Sequence, residues 1–265
     1  MASRGMMSTT SDEIVKQEET FLNLLNEVLD LAKQKNITMV TLGAIAFRIH
    51  CPKFKHITYN MKRNLTDLDF AGYMKDADKI STLFSELGYQ ELLPVRMYFG
   101  GRRRMFQNDN KGMKSDLFLD ELHMCHDIPF KNRLSIDPPT LSLVDLFLEK
   151  MQIVELDAKD VIDTVALIRE HEIGPSDNET INTNYLSSLC GSDWGLWMTV
   201  TTNLKKVSDH LAKFESLSNE DKIDVTRKIV RILEILNSAP KSTSWKMRAK
   251  IGTKKKWYRS VDLPH

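Results

Sequence analysis

The sequence lacks the features of secreted, membrane-spanning or disordered proteins. Its three cysteines, Cys51, Cys125 and Cys190, are too few and too scattered for a disulfide framework or a CxxC metal clip. No apolar run approaches the roughly 18 residues of a membrane span, and residues 1–10 lack the apolar stretch of a secretory signal. We therefore expect a cytoplasmic protein with no membrane partner.

A strong charge of one sign is absent from most of the chain, because 37 Lys and Arg oppose 36 Asp and Glu. The exception is the C-terminal end. Residues 241–265 hold eight basic residues and one acidic residue, a charge of +7, which leaves −6 for residues 1–240. With 265 residues, 42% of them hydrophobic, the chain has room for one large folded domain or two small ones.

The hydrophobic periodicity predicts an α+β fold. The predicted elements of the first half are helices over 12–35, 44–49 and 77–87, strands over 37–42 and 64–71, and extended segments over 89–99, 102–107 and 114–119. After Pro138-Pro139 the pattern is helical throughout. We expect three parts: an α/β domain with an N-terminal helix over 1–139, a helical domain over 140–240, and a basic aromatic tail over 241–265.

Three acids are the first candidates for chemistry. Asp67 and Asp69 are two positions apart in a predicted strand, so both carboxylates project to the same side. Asp116 lies in another strand-like run. If the two strands are neighbours in the sheet, Asp116 lies beside the pair. Three carboxylates on adjacent strands suit two Mg²⁺ ions. Paired acids are also tolerated at a solvated strand end, and the pattern alone leaves both interpretations open.

The order of these residues resembles the nucleotidyltransferase superfamily typified by DNA polymerase β, whose pattern is a glycine turn, a spacer and two aspartates in a strand. The residues that carry the resemblance are Gly43, Ala44, Arg63, Thr66, Asp67, Asp69 and Asp116. Residues 141–168 look like the abortive-infection toxin (AbiEii-like) branch, with Lys150 in one helix and Asp160 and Asp163 in the next. The resemblance implies a mixed β-sheet domain with flanking helices, followed by a helical region.

The resemblance also implies an enzyme that depends on Mg²⁺ or Mn²⁺. Such a nucleotidyltransferase moves a nucleoside monophosphate from a nucleoside triphosphate to an acceptor hydroxyl and releases pyrophosphate. In this chain Asp67 and Asp69 would be metal ligands, and Asp116 would be a third ligand or the base for the acceptor hydroxyl. The sequence does not identify the nucleotide, the acceptor or a toxin–antitoxin partner.

A second set of residues is implied to bind the nucleotide or its phosphates: Gly43, Ala44, Arg63, Thr66 and Lys150. A solvated loop for Arg63 and a surface position for Lys150 are the alternatives. Two features depart from the family pattern: Ala44 stands where Gly, Ser or Thr is usual, and the spacer 45–66 has 22 residues. These departures favour the alternative function, a non-catalytic module of the same fold that binds RNA or a partner protein.

Two other segments suggest binding at first sight. Gly100-Gly101 precedes three arginines at 102–104, which predicts a hairpin turn with alternating arginines on its exposed face. The run His123-Met124-Cys125-His126 offers zinc ligands, but they are too close in sequence for a closed tetrahedral site, so we expect a loop or a strand end.

The segment 241–259, called the basic segment below, interleaves its eight basic residues with Trp245, Trp257 and Tyr258 and contains no acid. This composition is typical of segments that follow an RNA backbone and stack on bases. Alternatively, the aromatic rings anchor the segment to the sheet domain while its charges stay solvated. Both interpretations remain open at this stage.

Overall fold

The computed structural model describes residues 11–261, with side chains from residue 13 onward. The architecture combines helices with a mixed β-sheet, which is compatible with the expected α+β class. The helices are α1 (Ser11–Gln34), α2 (Ala44–His50), α3 (Lys55–Asn60), α4 (Ala77–Glu86), α5 (Leu93–Tyr98), α6 (Leu143–Met151), α7 (Ala158–Glu170), α8 (Thr183–Ser192), α9 (Trp194–Leu211), α10 (Asn219–Ser238) and α11 (Thr243–Ile251). The strands are β1 (Met39–Leu42), β2 (Leu68–Gly72), β3 (Gln90–Glu91), β4 (Arg103–Asn108), β5 (Met113–Leu119), β6 (Glu121–His123), β7 (Asp127–Pro129), β8 (Glu172–Gly174) and β9 (Thr180–Asn182).

The central sheet has five strands in the order β1-β2-β5-β4-β3. The pair β2–β5 is parallel, whereas the pairs β1–β2, β4–β5 and β3–β4 are antiparallel. In the parallel pair, Asp69 of β2 lies opposite Asp116 of β5. Two smaller ribbons, β6–β7 and β8–β9, lie outside this sheet. The prediction that the chain is helical throughout after Pro138-Pro139 is therefore wrong at β8–β9.

The two faces of the sheet pack against different parts of the chain. Leu68 and Phe70 of β2 are fully buried in a cluster with α1 and α4, as the strand alternation predicts. Ala71 and Phe118 belong to a second cluster, which includes side chains from α6, α7, α9 and α10. The second cluster crosses the predicted boundary at residue 139, so sheet and helical region share one hydrophobic core.

Most predicted elements are present, and the local signals explain where they begin. Asp157 caps α7 and Ser218 caps α10, each in a capping box. The extended prediction for 89–99 is wrong over most of its length, because α5 occupies residues 93–98 with Pro94 in its first turn. The predicted hairpin at Gly100-Gly101 is also wrong, since these glycines join α5 to β4.

Among the described helices, none combines the length and the apolar character that crossing a membrane requires.

Candidate functional site

The register of β2 and β5 places two of the three predicted acids side by side. Asp69 and Asp116 are direct neighbours across the parallel pair, so their side chains project from the same face of the sheet. That face also carries Ala71 and Phe118, and it is the one covered by the helical region. Asp67 lies just before β2 and is exposed. The acids are therefore at the edge where the sheet meets the helices.

Asp69 is a half-buried carboxylate without a compensating partner. Among the described residues, no ion pair or hydrogen bond engages its side chain. Burial, followed by the charges of Asp67, Asp116 and Glu149, raises the pKa of Asp69 well above its usual range, and the charge of Lys150 opposes this increase only in part. A cation bound to Asp69 would offset both the loss of hydration and the repulsion from the neighbouring acids.

Gly43 makes room for this carboxylate. Its φ of 75° and ψ of −172° fall in a region that essentially only glycine adopts. A Cβ atom at this position would lie 2.5 Å from Oδ2 of Asp69. The glycine turn predicted from the sequence thus allows β1 and α2 to approach the acid directly.

Glu149 is a site residue that sequence reasoning missed. The backbone N–H of Gly43 donates to Oε2 of Glu149 at 3.0 Å, and Nζ of Lys150 lies 3.2 Å from Oε1. Burial raises the pKa of Glu149, and the charge of Lys150 opposes this increase. The available signal was the apolar helix α6, in which a charged pair such as Glu149-Lys150 must find partners inside the protein.

The predicted phosphate-binding cations already contact carboxylates. Lys150 is buried and lies 3.3 Å from Asp160 and 3.4 Å from Asp163. Arg63 is also buried. Its Nε and Nη2 donate to Oδ2 of Asp163 at 3.3 Å and 3.0 Å, respectively. Although burial opposes its charge, the carboxylates of Glu149, Asp163 and Asp160 raise the pKa of Lys150. These residues form a buried ion network beside Asp69.

The other two residues of the phosphate set lie nearby without a phosphate-like contact. Thr66 is exposed and its hydroxyl donates to Oδ1 of Asp67 at 3.0 Å. Ala44 is 9% exposed and begins α2, packed in the hydrophobic cluster on the α1 side of the sheet.

Asp116 contacts an arginine that the sequence placed on an exposed hairpin. Nε of Arg103 donates to Oδ1 of Asp116 at 3.2 Å, and Nη2 donates to Oδ2 at 2.5 Å. Burial raises the pKa of Asp116, and Arg103 opposes this increase. Arg103 and Arg104 are both buried, so the expectation of exposed arginines is wrong except at Arg102. Their charges gave no sign that β4 lies inside the sheet.

The three aspartates suit a hard divalent cation, since carboxylate oxygens are the ligands that Mg²⁺ and Mn²⁺ prefer. In the part of the chain with described side chains, three potential ligand atoms lie within 4.8 Å of one another only at Glu121, His123 and Asp127. Asp116 is held by Arg103, and the carboxylate oxygens of the three aspartates do not all lie within 4.8 Å of one another. The chemistry of the donor set and the unpaired Asp69 fit the cation, provided that Asp116 turns toward it.

The cluster of Glu121, His123 and Asp127 on the β6–β7 ribbon shares only His123 with the run 123–126 considered above. His123 pairs with Asp127 across the ribbon, and Nδ1 of His123 lies 2.6 Å from Oδ1 of Asp127. Asp127 also pairs with Arg259, and Glu121 pairs with Arg102 at 3.0 Å. The carboxylates of this cluster are therefore already neutralised by arginines. His126 instead faces Thr199 in the interior, where burial lowers the pKa of His126 to about 4.

The basic segment is anchored by its aromatic rings. Trp257 contacts Trp194 edge to face at 6.1 Å between ring centroids, and its Nε1 donates to Thr199 at 3.0 Å. Trp245 packs in the same way on Trp197 at 5.2 Å. The rings dock on α9 rather than on the sheet. They are consequently used in packing and do not form an open stacking platform for bases.

A comparison with protein families, curated proteins and solved structures finds no match for this chain.

Proposed function

We propose that the protein is a divalent-metal-dependent nucleotidyltransferase. The observation that supports this function most is the unpaired carboxylate of Asp69, next to Asp116 on a parallel strand and beneath a glycine turn that leaves room for it. A carboxylate surrounded by other acids opposes folding unless a cation binds it. Natural proteins accept such a cost mainly at functional sites.

In this mechanism the chain's own residues position the reacting groups. Asp67 and Asp69 hold the cation, which when bound neutralises phosphate charge on the nucleoside triphosphate. The acceptor oxygen forms a bond with the α-phosphorus while the bond to the bridging oxygen breaks, and pyrophosphate leaves. Asp116, released from Arg103, would bind the cation through one carboxylate oxygen and take the proton of the acceptor hydroxyl with the other. Glu149, Lys150 and the network behind them keep the turn at Gly43 in place.

Pyrophosphate release tests this proposal. Full-length protein is incubated with each of the four ribonucleoside triphosphates, labelled at the α-phosphate, with Mn²⁺ or Mg²⁺ and either a mixed RNA pool or cell extract as acceptor. We expect pyrophosphate release and a labelled product that disappear in Asp69→Asn. Asp209→Asn is the matched control, because Asp209 is exposed on α9, far along the chain from the acids. Activity that survives Asp69→Asn would contradict the assignment.

A second candidate function, a non-catalytic module that binds RNA, is favoured by a separate observation. Five lysines of the basic segment are exposed and none of them is in an ion pair within the described part of the chain: Lys246, Lys250, Lys254, Lys255 and Lys256. RNA binding without pyrophosphate release under any of the conditions above would favour this candidate over the enzyme.

A further inference from the structure

Arg103 and Asp116 form a pair in the part of the sheet that the proposed mechanism uses. They lie on neighbouring antiparallel strands, with Arg103 opposite Phe118 and Asp116 opposite Met105, which makes them diagonal neighbours on one face. Both oxygens of Asp116 accept hydrogen bonds from the guanidinium. The side chains are 8% and 15% exposed, so water screens the pair only weakly.

The surroundings of Arg103 offer its guanidinium few polar partners besides Asp116. Its guanidinium lies 5.3 Å and 5.2 Å from the ring centroids of Phe99 and Phe118. Its Nη1 is buried and has no hydrogen-bond partner among the described residues. A buried N–H group without a partner is unfavourable, and aromatic faces provide only part of the compensation. The contact with Asp116 is thus the sole carboxylate contact of this arginine in the described structure.

We infer that Arg103 is a positioning residue that occupies Asp116 in the metal-free protein and must leave it before Asp116 can serve a divalent cation. This inference rests on the proposed function. A guanidinium that uses both carboxylate oxygens blocks them for another cation, and two cations at one carboxylate repel each other. Arg103 therefore competes with the metal and holds the Asp116 carboxylate in place until the metal arrives.

A structural role for Arg103 and the competing role predict opposite changes in metal affinity. If Arg103 only stabilised the sheet, its removal would leave the site disordered and metal binding weaker or unchanged. If Arg103 competes with the cation, its removal leaves Asp116 as an unpaired buried acid. The Asp116 carboxylate then attracts the cation without opposition from the guanidinium. Apo stability should fall while metal affinity rises.

The experiment measures Mn²⁺ binding by isothermal titration calorimetry at pH 8, together with the rise in Tm that Mn²⁺ causes. We expect Arg103→Leu to bind Mn²⁺ about tenfold more tightly than the wild type, with a lower Tm without metal and a larger rise with it. Arg103→Gln retains a hydrogen-bond donor, so we expect its Mn²⁺ affinity to lie between those of the wild type and Arg103→Leu. This second variant keeps the test valid if Arg103→Leu does not fold.

Arg104→Leu is the matched control. Arg104 is the next residue of β4 and is also buried, but its guanidinium contacts Ala77 and Ser81 and pairs with Asp78 and Glu91, none of which belongs to the proposed site. We expect it to lower the Tm and leave Mn²⁺ affinity unchanged.

The outcomes separate this inference from the proposed function. Wild-type Mn²⁺ binding that Asp69→Asn abolishes, with no tightening in either Arg103 variant, would overturn the role of Arg103 alone. Wild-type binding that persists in Asp69→Asn, or no binding by any variant, would overturn both. Tightening by Arg104→Leu equal to that by Arg103→Leu would also overturn the inference, because the effect would then be general to buried arginines.

Discussion

At the residue scale, the site depends on one acid that the fold leaves unpaired and one glycine that makes room for it. Among the described residues Asp69 has no ion-pair partner, whereas Asp116 pairs with Arg103 and Glu149 pairs with Lys150. The difference follows from Gly43, whose missing side chain leaves space beside Asp69 without supplying a hydrogen-bond donor to it. The backbone N–H of Gly43 is directed to Glu149 instead.

Asp69→Asn is expected to stabilise the metal-free protein at pH 8. Because the pKa of Asp69 is raised in the folded state, its ionisation favours the unfolded chain. The gain in the free energy of unfolding should be complete above the raised pKa. It should decline as the pH falls through that value and vanish near the unfolded pKa of about 3.9. Urea denaturation of both proteins between pH 4 and 8 measures it, and a less stable variant at pH 8 would show that the carboxylate is structural.

Gly43→Ala is expected to disturb Asp69 directly. The new Cβ would meet Oδ2 of Asp69 at 2.5 Å in a backbone region that alanine avoids, so we expect a loss of about 1–3 kcal/mol in unfolding free energy together with loss of Mn²⁺ binding. Gly100→Ala is the control, since Gly100 also has a positive φ, 58°, but nothing lies within 4 Å of its added Cβ. Calorimetry should show Mn²⁺ binding in the control only; equal binding by both variants would contradict the role of Gly43.

At the scale of elements, the sequence predicted the strands and the acids better than the charged partners. Alternation of apolar residues identified β2 and β5, and the acids appeared as exceptions within them. Arg103 could not be assigned in the same way, because an arginine on a short strand is as compatible with an exposed hairpin as with a buried ion pair. Glu149 was hidden for a related reason: its partner is a backbone N–H more than 100 residues away. Long-range partners of this kind are set by tertiary packing, which periodicity does not encode.

The basic segment is the element whose two interpretations the structure separates most clearly. Its aromatic rings are used for docking on α9, and its lysines remain available. An interaction with RNA would therefore be electrostatic, without stacking, and weakly dependent on sequence.

Replacing the five exposed lysines of the basic segment with glutamine is expected to weaken binding of a single-stranded RNA and flatten its salt dependence. With about five phosphates neutralised, the slope of log K against log salt should be about −3 to −4 for the wild type and close to zero for the variant. Fluorescence anisotropy with a labelled 20-nucleotide RNA at four salt concentrations measures both slopes. The matched control replaces five exposed lysines elsewhere: Lys53, Lys131, Lys159, Lys205 and Lys213. Equal slopes for the two variants would place any RNA-binding surface outside the basic segment.

At the scale of the whole molecule, the helical region completes the site rather than standing beside it. One hydrophobic cluster runs from β1 and β5 into α6, α7, α9 and α10. Through this contact α6 brings Glu149 and Lys150 to the sheet, and α7 brings Asp163 to Arg63. The helical residues are therefore part of the same site as the acids of the sheet.

Asp163→Leu is expected to destabilise both halves together. Asp163 is 1% exposed and compensates two buried cations, Arg63 and Lys150. Leaving these cations without it should cost about 3–5 kcal/mol of unfolding free energy. Urea denaturation followed by tryptophan fluorescence, which reports on α9, and by circular dichroism should give one coincident, shifted transition. Asp209→Leu, on the exposed side of α9, should be close to wild type. Separate transitions for the two signals would contradict a shared core.

The most direct test of the central claim is the position of Mn²⁺ in crystals grown with Mn²⁺ and a non-hydrolysable nucleoside triphosphate, located by anomalous scattering. We predict Mn²⁺ coordinated by Asp67 and Asp69, with Asp116 turned from Arg103 toward the ion and the triphosphate on the same cation. Mn²⁺ bound only at Glu121, His123 and Asp127, with Asp69 uncoordinated, would contradict the account.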